Sequence, residues 1–140
     1  MQYVSELMVD TVLTLQPSDN LNDARMMMKL ANIRSTPVAD DEGNFVGLIT
    51  NRDLLACTIS KLAEIDEAVQ EEIDMAIRVS DVMQSEVQCV TPDTPLLDAA
   101  KLLFDRKCGC LPVLDGRKLV GIITEADFLR LAILQMEGKA

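Results

Sequence analysis

The 140-residue chain is 49% hydrophobic and 26% charged, a globular balance that suits one compact unit or two very small ones. Its net charge of −10 opposes a phosphate backbone and so excludes nonspecific nucleic-acid binding; the absence of histidine removes the commonest general base and metal ligand. No apolar run approaches the roughly 20 residues of a membrane span, and the N-terminal MQYVSELMVD lacks the apolar stretch of a secretory leader, so a cytoplasmic protein is expected.

VSELM opens the chain at 4–8, and TVLTL at 11–15 is a short β-rich piece ahead of Pro17. A helix follows, with Ser18 or Asp19 as its N-cap and Leu21, Ala24, Met27, Met28 and Ala31 as its apolar stripe. STPVAD at 35–40 starts a strand, because the residue before a proline is driven to extended backbone. DDEGN then supplies turn chemistry, and FVGLIT forms the returning strand of a hairpin. NRDLLACTI opens a second helix. From Asp53 to Arg78 there is no glycine or proline, and Leu55, Ile59, Leu62, Ile65, Val69, Ile73 and Ile77 recur three or four apart. This predicts one long helix, or two with a bend. Glu64, Glu67, Glu71 and Glu72 would form an acidic outer face, either solvated or a docking surface for another chain.

The second half repeats the first. VSDVM at 79–83 answers VSELM; Val87, Pro92, Leu96, Asp98-Ala99 and Pro112-Val113 each lie 75 residues after Val12, Pro17, Leu21, Asp23-Ala24 and Pro37-Val38. Thr94 caps the helix, with Pro95 at the first helical position and Leu96, Ala99, Ala100 and Leu103 as its stripe. LPVLD, DGRK and LVGIIT form the hairpin, one residue shorter, and EADFLRLAIL the closing helix. The order per copy is strand, helix, strand, strand, helix. The chain therefore divides into a first repeat at 1–57, a helical connector at 58–78 and a second repeat at 79–140. Met26, Met27 and Met28 are core and interface filler. Cys57, Cys89, Cys108 and Cys110 have no zinc spacing and read as reduced, semi-buried thiols, with a redox role for Cys108 and Cys110 the sharper alternative.

The most specific signal is GLITNRD at 47–53, which returns as GIITEAD at 121–127. The glycine permits close backbone approach. The threonine ends a strand, and the aspartate lies in the first turn of the next helix. A helix start offers unpaired N–H groups to an anion, a threonine hydroxyl bonds a phosphate oxygen, and a carboxylate suits the vicinal hydroxyls of a ribose. The same spacing also reads as a plain capping pair, Thr50 with Asp53 and Thr124 with Asp127, and the two roles can coexist.

The ordered set VSELM…P…DA…STPV…VGLITNRD and VSDVM…P…DA…CLPV…VGIITEAD resembles the cystathionine β-synthase (CBS) domain pair, or Bateman module, in its freestanding bacterial-type two-repeat form. The resemblance implies an α+β (mixed α/β) fold of two βαββα units packed sheet to sheet about a pseudo-twofold axis. It also implies two clefts that take AMP, ADP, ATP or S-adenosylmethionine, and a flat homodimer. Carried onto this chain, one cleft would use Arg34, Thr50, Arg52 and Asp53, facing Met83, Glu86, Gln88, Cys108, Gly109 and Cys110. The other would use Thr124, Ala126 and Asp127, with Gly109, Cys110 and Glu125 nearby, facing Met8, Thr11, Leu13, Ile33, Arg34 and Ser35. Two guanidiniums beside Asp53 predict a charged nucleotide there. The Asp127 cleft, with Ala126, Gly109 and Glu125 at matching places, is expected to bind more weakly or to take a less charged adenosine compound.

The leading expectation is a regulatory module that senses an adenosine nucleotide and passes its output to a separate effector protein or through self-association. The alternative is a ligand-free dimerising scaffold that docks an effector. An enzyme is not expected: there is no GxxxxGK[ST] loop, no G-x-G-x-x-G and no carboxylate pair with a clear partner.

Overall fold

A computed structural model describes residues 1–58 and 67–139. The elements in chain order are α1 (Val4–Leu7), α2 (Leu21–Ala31), β1 (Ser35–Ala39), β2 (Phe45–Thr50), α3 (Asn51–Ala56), α4 (Glu67–Ala76), α5 (Val79–Val82), α6 (Leu96–Arg106), β3 (Cys110–Asp115), β4 (Lys118–Thr124) and α7 (Glu125–Met136). They form two compact units: Met1–Val12 with Gln88–Ala140, and Leu13–Val87. These units divide the chain differently from the repeats of its sequence. The opening segment of each repeat belongs to the unit that holds the other repeat's hairpin.

The second unit, 13–87, is built on the β1–β2 hairpin, with Ser35 opposite Thr50 and Val38 opposite Gly47. Two isolated bridges extend it. Leu15 N donates to Pro37 O at 3.0 Å, and Ala39 N to Leu15 O at 2.9 Å. Leu48 and Gln84 exchange both backbone hydrogen bonds at 2.8 Å. The expected first strand is thus a single parallel bridge, because Pro17, two residues on, has no N–H to continue the ladder. Leu21, Ala24 and Met28 of α2 pack on Leu15, Val38, Ile49, Leu54 and Val79. Each large aliphatic side chain removed from water here contributes about 1.5–3 kcal/mol.

The first unit repeats the plan. Cys110 pairs with Thr124 and Val113 with Gly121 across β3–β4. Val9 and Ile122 exchange backbone bonds at 2.9 Å, and Val90 N donates to Pro112 O at 3.0 Å. Its core is Val4, Leu7, Val90, Leu96, Ala99, Leu103, Leu111, Val113 and Ile123.

Three sequence expectations shift. The N-cap of α2 is Asn20, not Ser18 or Asp19: Asn20 Oδ1 accepts from Asp23 N at 2.9 Å, and Asp23 Oδ2 from Asn20 N at 3.1 Å. Asp19 is already committed to the preceding turn, accepting from Gln16 N at 2.8 Å. In the second copy Pro95 itself is the N-cap, and Thr94 Oγ1 instead accepts from Thr91 N at 3.0 Å. The third concerns the connector. Helix α3 ends at Ala56 and α4 begins at Glu67; Ile59, Leu62, Glu64 and Ile65 lie outside the described residues. Leu55 and Val69 are exposed, and Ile73 and Ile77 half-buried. The fully buried residue of α4 is Asp74, 2% exposed, which Arg25 Nε meets at 2.6 Å and Gln70 Nε2 at 2.9 Å. Arg25 Nη2 also donates to Leu54 O at 3.0 Å, so one guanidinium ties α2 to both α3 and α4. No described helix is long and apolar enough to cross a membrane.

Candidate functional site

The two repeated motifs fold into the same strand-to-helix corner. Thr50 closes β2 and caps α3. Its N–H donates to Asp53 Oδ2 at 2.8 Å, its hydroxyl donates to the same oxygen at 2.9 Å, and Asp53 N donates to Thr50 Oγ1 at 3.2 Å. Thr124 likewise donates to Asp127 Oδ2 through N–H at 2.9 Å and hydroxyl at 3.2 Å. The capping role is therefore present at both corners. It consumes one carboxylate oxygen and leaves the other facing different partners.

At the first corner Gln84 Nε2 donates to Asp53 Oδ1 at 3.1 Å and lies 3.3 Å from Oδ2. Asp53 is half-buried, and Oδ1 keeps lone pairs for further donors. At the second corner Arg130 Nη2 lies 3.4 Å from Asp127 Oδ1, and Asp127 is 4% exposed. Gln84 corresponds in the repeat to Val9, and Arg130 to Ala56, so neither partner has a counterpart in the other copy.

The glycine of the motif has a visible cause. A Cβ on Gly47 would stand 2.6 Å from Met83 Sδ and 2.9 Å from Gln84 O; on Gly121 it would stand 2.6 Å from Met8 Sδ and 3.0 Å from Val9 O. Only glycine lets the segment after α5, or after α1, close on the hairpin. That closure delivers Gln84 to Asp53. Met83 and Met8, read as cleft walls, each sit against the glycine of their own unit.

Arg34 is drawn to the first corner by its backbone: Asn51 N donates to Arg34 O at 2.7 Å, as Glu125 N does to Gly109 O at 3.3 Å in the other unit. Arg34 and Arg52 are exposed, and neither is in an ion pair among the described residues. Helix α3 has only 6 residues, so its dipole adds little positive field at the corner.

The predicted site residues fall as follows. Ile33, Arg34, Ser35, Thr50, Arg52, Asp53, Met83 and Glu86 belong to the second unit with Leu13, which is 52% exposed. Met8, Thr11, Gln88, Cys108, Gly109, Cys110, Thr124, Ala126 and Asp127 belong to the first. Cys57, Cys89 and Cys108 are half-buried, Cys110 is buried, and none is disulfide-bonded. Burial pushes the Cys89 and Cys108 thiols up; at Cys108 the Glu125 carboxylate adds to that and nearby backbone hydrogen bonds oppose it. A raised thiol is a poorer nucleophile near neutral pH, which weighs against the redox reading of Cys108.

Sequence reasoning missed Gln84, whose only signal is its place directly after Met83. It also missed an open hollow of about 280 Å³ within the second unit, lined by Arg25, Met28 and Lys29 of α2, Ile33 and Arg34 of the following loop, and Asn51 and Leu54 of α3. Asp53 and Thr50 do not line it; α3 presents them elsewhere.

Comparison with known proteins places these corners in a family. The CBS domain model matches residues 4–59 and 79–133. A CBS domain-containing protein of Dictyostelium discoideum is 34% identical over 136 residues, covering 96% of this chain and 93% of that one. An inosine-5'-monophosphate dehydrogenase of Methanocaldococcus jannaschii is 31% identical, but the match spans only 22% of that enzyme's length. The crystal structure of the CBS-pair protein CBSX2 from Arabidopsis thaliana superposes with a TM-score of 0.83 at 31% identity, over 99% of this chain and 98% of that one. CBSX2 has also been crystallised in complex with AMP, and that structure matches with a TM-score of 0.79 over 98% of this chain and 99% of that one. With two matched repeats and a fold to correspond, the chain belongs to the CBS domain family as a tandem pair.

Proposed function

We propose that the protein is a regulatory sensor of an adenosine nucleotide, held through its ribose phosphate at the Thr50–Asp53 corner. The observation that carries this reading is the second oxygen of half-buried Asp53, oriented by Gln84, with Arg52 adjacent in sequence and Arg34 brought near through the Asn51 N–Arg34 O backbone bond; neither arginine is in an ion pair among the described residues. A carboxylate acceptor beside two guanidiniums matches a vicinal diol joined to a phosphate. The AMP complex of a 31% identical relative supports the ligand class. The Asp127 corner offers Ala126 and Gly109 in place of the two arginines, and its carboxylate is 4% exposed and faces Arg130. It is the weaker site, for a less charged adenosine compound such as S-adenosylmethionine. Binding would act by favouring one arrangement of the chain over another, with a differential of about 1–3 kcal/mol.

A thermal-shift and calorimetric panel of AMP, ADP, ATP and S-adenosylmethionine tests this. A ligand at about 100 times its Kd adds about 2.7 kcal/mol to stability. Asp53→Ala should cost about 1 kcal/mol through the lost cap and, separately, weaken AMP by about tenfold or more. Arg34→Ala should weaken AMP without the stability cost. Unchanged affinity in both variants would refute the assignment.

The reading includes self-association, through which such a sensor can signal. Leu129, Ile133 and Met136 form one exposed stripe of α7, and Leu97 and Phe104 another of α6, with Phe104 82% exposed. A second copy of the chain would cover them. Light scattering behind gel filtration should give a dimer for the native chain and a monomer for Phe104→Glu/Leu129→Glu. A native monomer at about 100 μM, far above the Kd of a stable interface, would count against it.

A further inference from the structure

We propose that the hollow between α2 and α3 is a second anion site in the same unit, taking a phosphate or diphosphate group, sharing Arg34 with the Thr50–Asp53 corner and distinguished from it by Lys29. Its lining carries Arg25, Lys29 and Arg34 and no carboxylate, on a chain whose net charge is −10. Arg25 is held in place by Asp74 and by Leu54 O, so its orientation is fixed before any ligand arrives. Asp74 offsets its charge. The net positive charge then comes from Lys29 and Arg34, both exposed and neither in an ion pair among the described residues. Two net positive charges match a phosphate dianion.

The volume, about 280 Å³, lies at the lower edge of the about 300–1,000 Å³ usual for small-molecule pockets, so it suits a phosphate group better than a whole nucleotide. The repeat supplies an internal comparison. Arg25, Lys29, Arg34 and Asn51 correspond to Ala100, Phe104, Gly109 and Glu125 in the second copy. Every cation is lost there and an acid is gained. Arg25 has a structural reason in this copy, its tie to Asp74 and Leu54 O, but packing α2 against α3 gives no such reason for Lys29 and Arg34.

Calorimetric titration of the full chain with inorganic pyrophosphate at low ionic strength tests the site, with AMP titrated separately. Wild type should bind pyrophosphate. Lys29→Ala, an exposed position where folding is not at risk, should weaken pyrophosphate by about tenfold, the size of one lost charge-assisted hydrogen bond, and leave AMP unchanged. Two results would overturn the proposal: no pyrophosphate binding by wild type up to about 10 mM, weaker than any functional site would be, or equal affinity in Lys29→Ala. Pyrophosphate binding that needs Lys29, in a chain that ignores AMP, would uphold the hollow and refute the nucleotide corner, so the two readings fail separately.

Discussion

Arg25→Met is expected to destabilise the protein by about 3–5 kcal/mol, the usual cost of stripping one partner from a buried ion pair. Asp74 is 2% exposed, and its Oδ2 meets Arg25 Nε at 2.6 Å, while Oδ1 accepts from Gln70 Nε2 at 2.9 Å. Methionine fills much of the arginine's volume, so the loss comes from leaving a carboxylate out of water with the Gln70 amide as its one remaining partner among the described residues. Arg25 also gives Leu54 O a donor at 3.0 Å, but Thr58 Oγ1 donates to the same carbonyl at 2.9 Å and would remain. Against a total stability of about 5–15 kcal/mol the change is large. It should lower Tm by about 10 °C or more. Asp74→Leu in the Arg25→Met background removes the stranded charge and should recover at least half of the loss, because a well-packed apolar pair replaces a buried salt bridge at little cost. Thermal and urea unfolding of the two single variants and the double variant measure the coupling directly. A loss under about 1 kcal/mol in Arg25→Met would mean that the pair behaves as a solvated surface contact.

The architecture was legible because the sequence states it twice. Leu21, Ala24, Val38 and Ile49 are buried in one unit, and Leu96, Ala99, Val113 and Ile123, at matching places, in the other. Hairpins, caps at Thr50 and Thr124, and the glycine's close approach all follow from local pattern and chemistry. What was not legible depends on contacts distant in sequence. Counting aliphatic residues along the connector missed Asp74, since a charge on a helix reads as solvated until Arg25, 49 positions away, is known to meet it. Gln84 acquires its role by lying 31 residues from Asp53 along the chain yet within 3.1 Å of it. The N-cap of α2 slipped to Asn20 because Ser18, Asp19 and Asn20 are all capping residues, and only the turn at Gln16 decides among them. The division into units was hidden for a related reason. VSELM and VSDVM begin their own repeats in sequence, and in space Val4 N donates to Thr94 O at 2.9 Å and Val79 N to Asp19 O at 2.7 Å, each docking on the helix start of the other repeat.

Gly47→Val should cost about 3 kcal/mol, although valine is a far better strand residue than glycine. Propensity predicts a gain; the close approach predicts the loss, and the distances decide. The first atom of the new side chain would lie 2.6 Å from Met83 Sδ and 2.9 Å from Gln84 O. The methionine tail can swing away. The carbonyl cannot, because Gln84 and Leu48 hold each other through two backbone hydrogen bonds at 2.8 Å. Relief therefore requires breaking that bridge, which also withdraws Gln84 Nε2 from Asp53. The variant should show two linked losses: a Tm lower by about 10 °C, and weaker AMP binding under conditions where the chain is still folded. Gly121→Val meets the same obstacle, with Val9 O at 3.0 Å, but Val9 reaches no carboxylate. It should lose comparable stability and leave AMP binding at the Asp53 corner intact. The pair thus separates the packing role of the motif glycine from its positioning role. Equal AMP affinity in folded Gly47→Val and wild type would show that Gln84 does not orient the Asp53 corner.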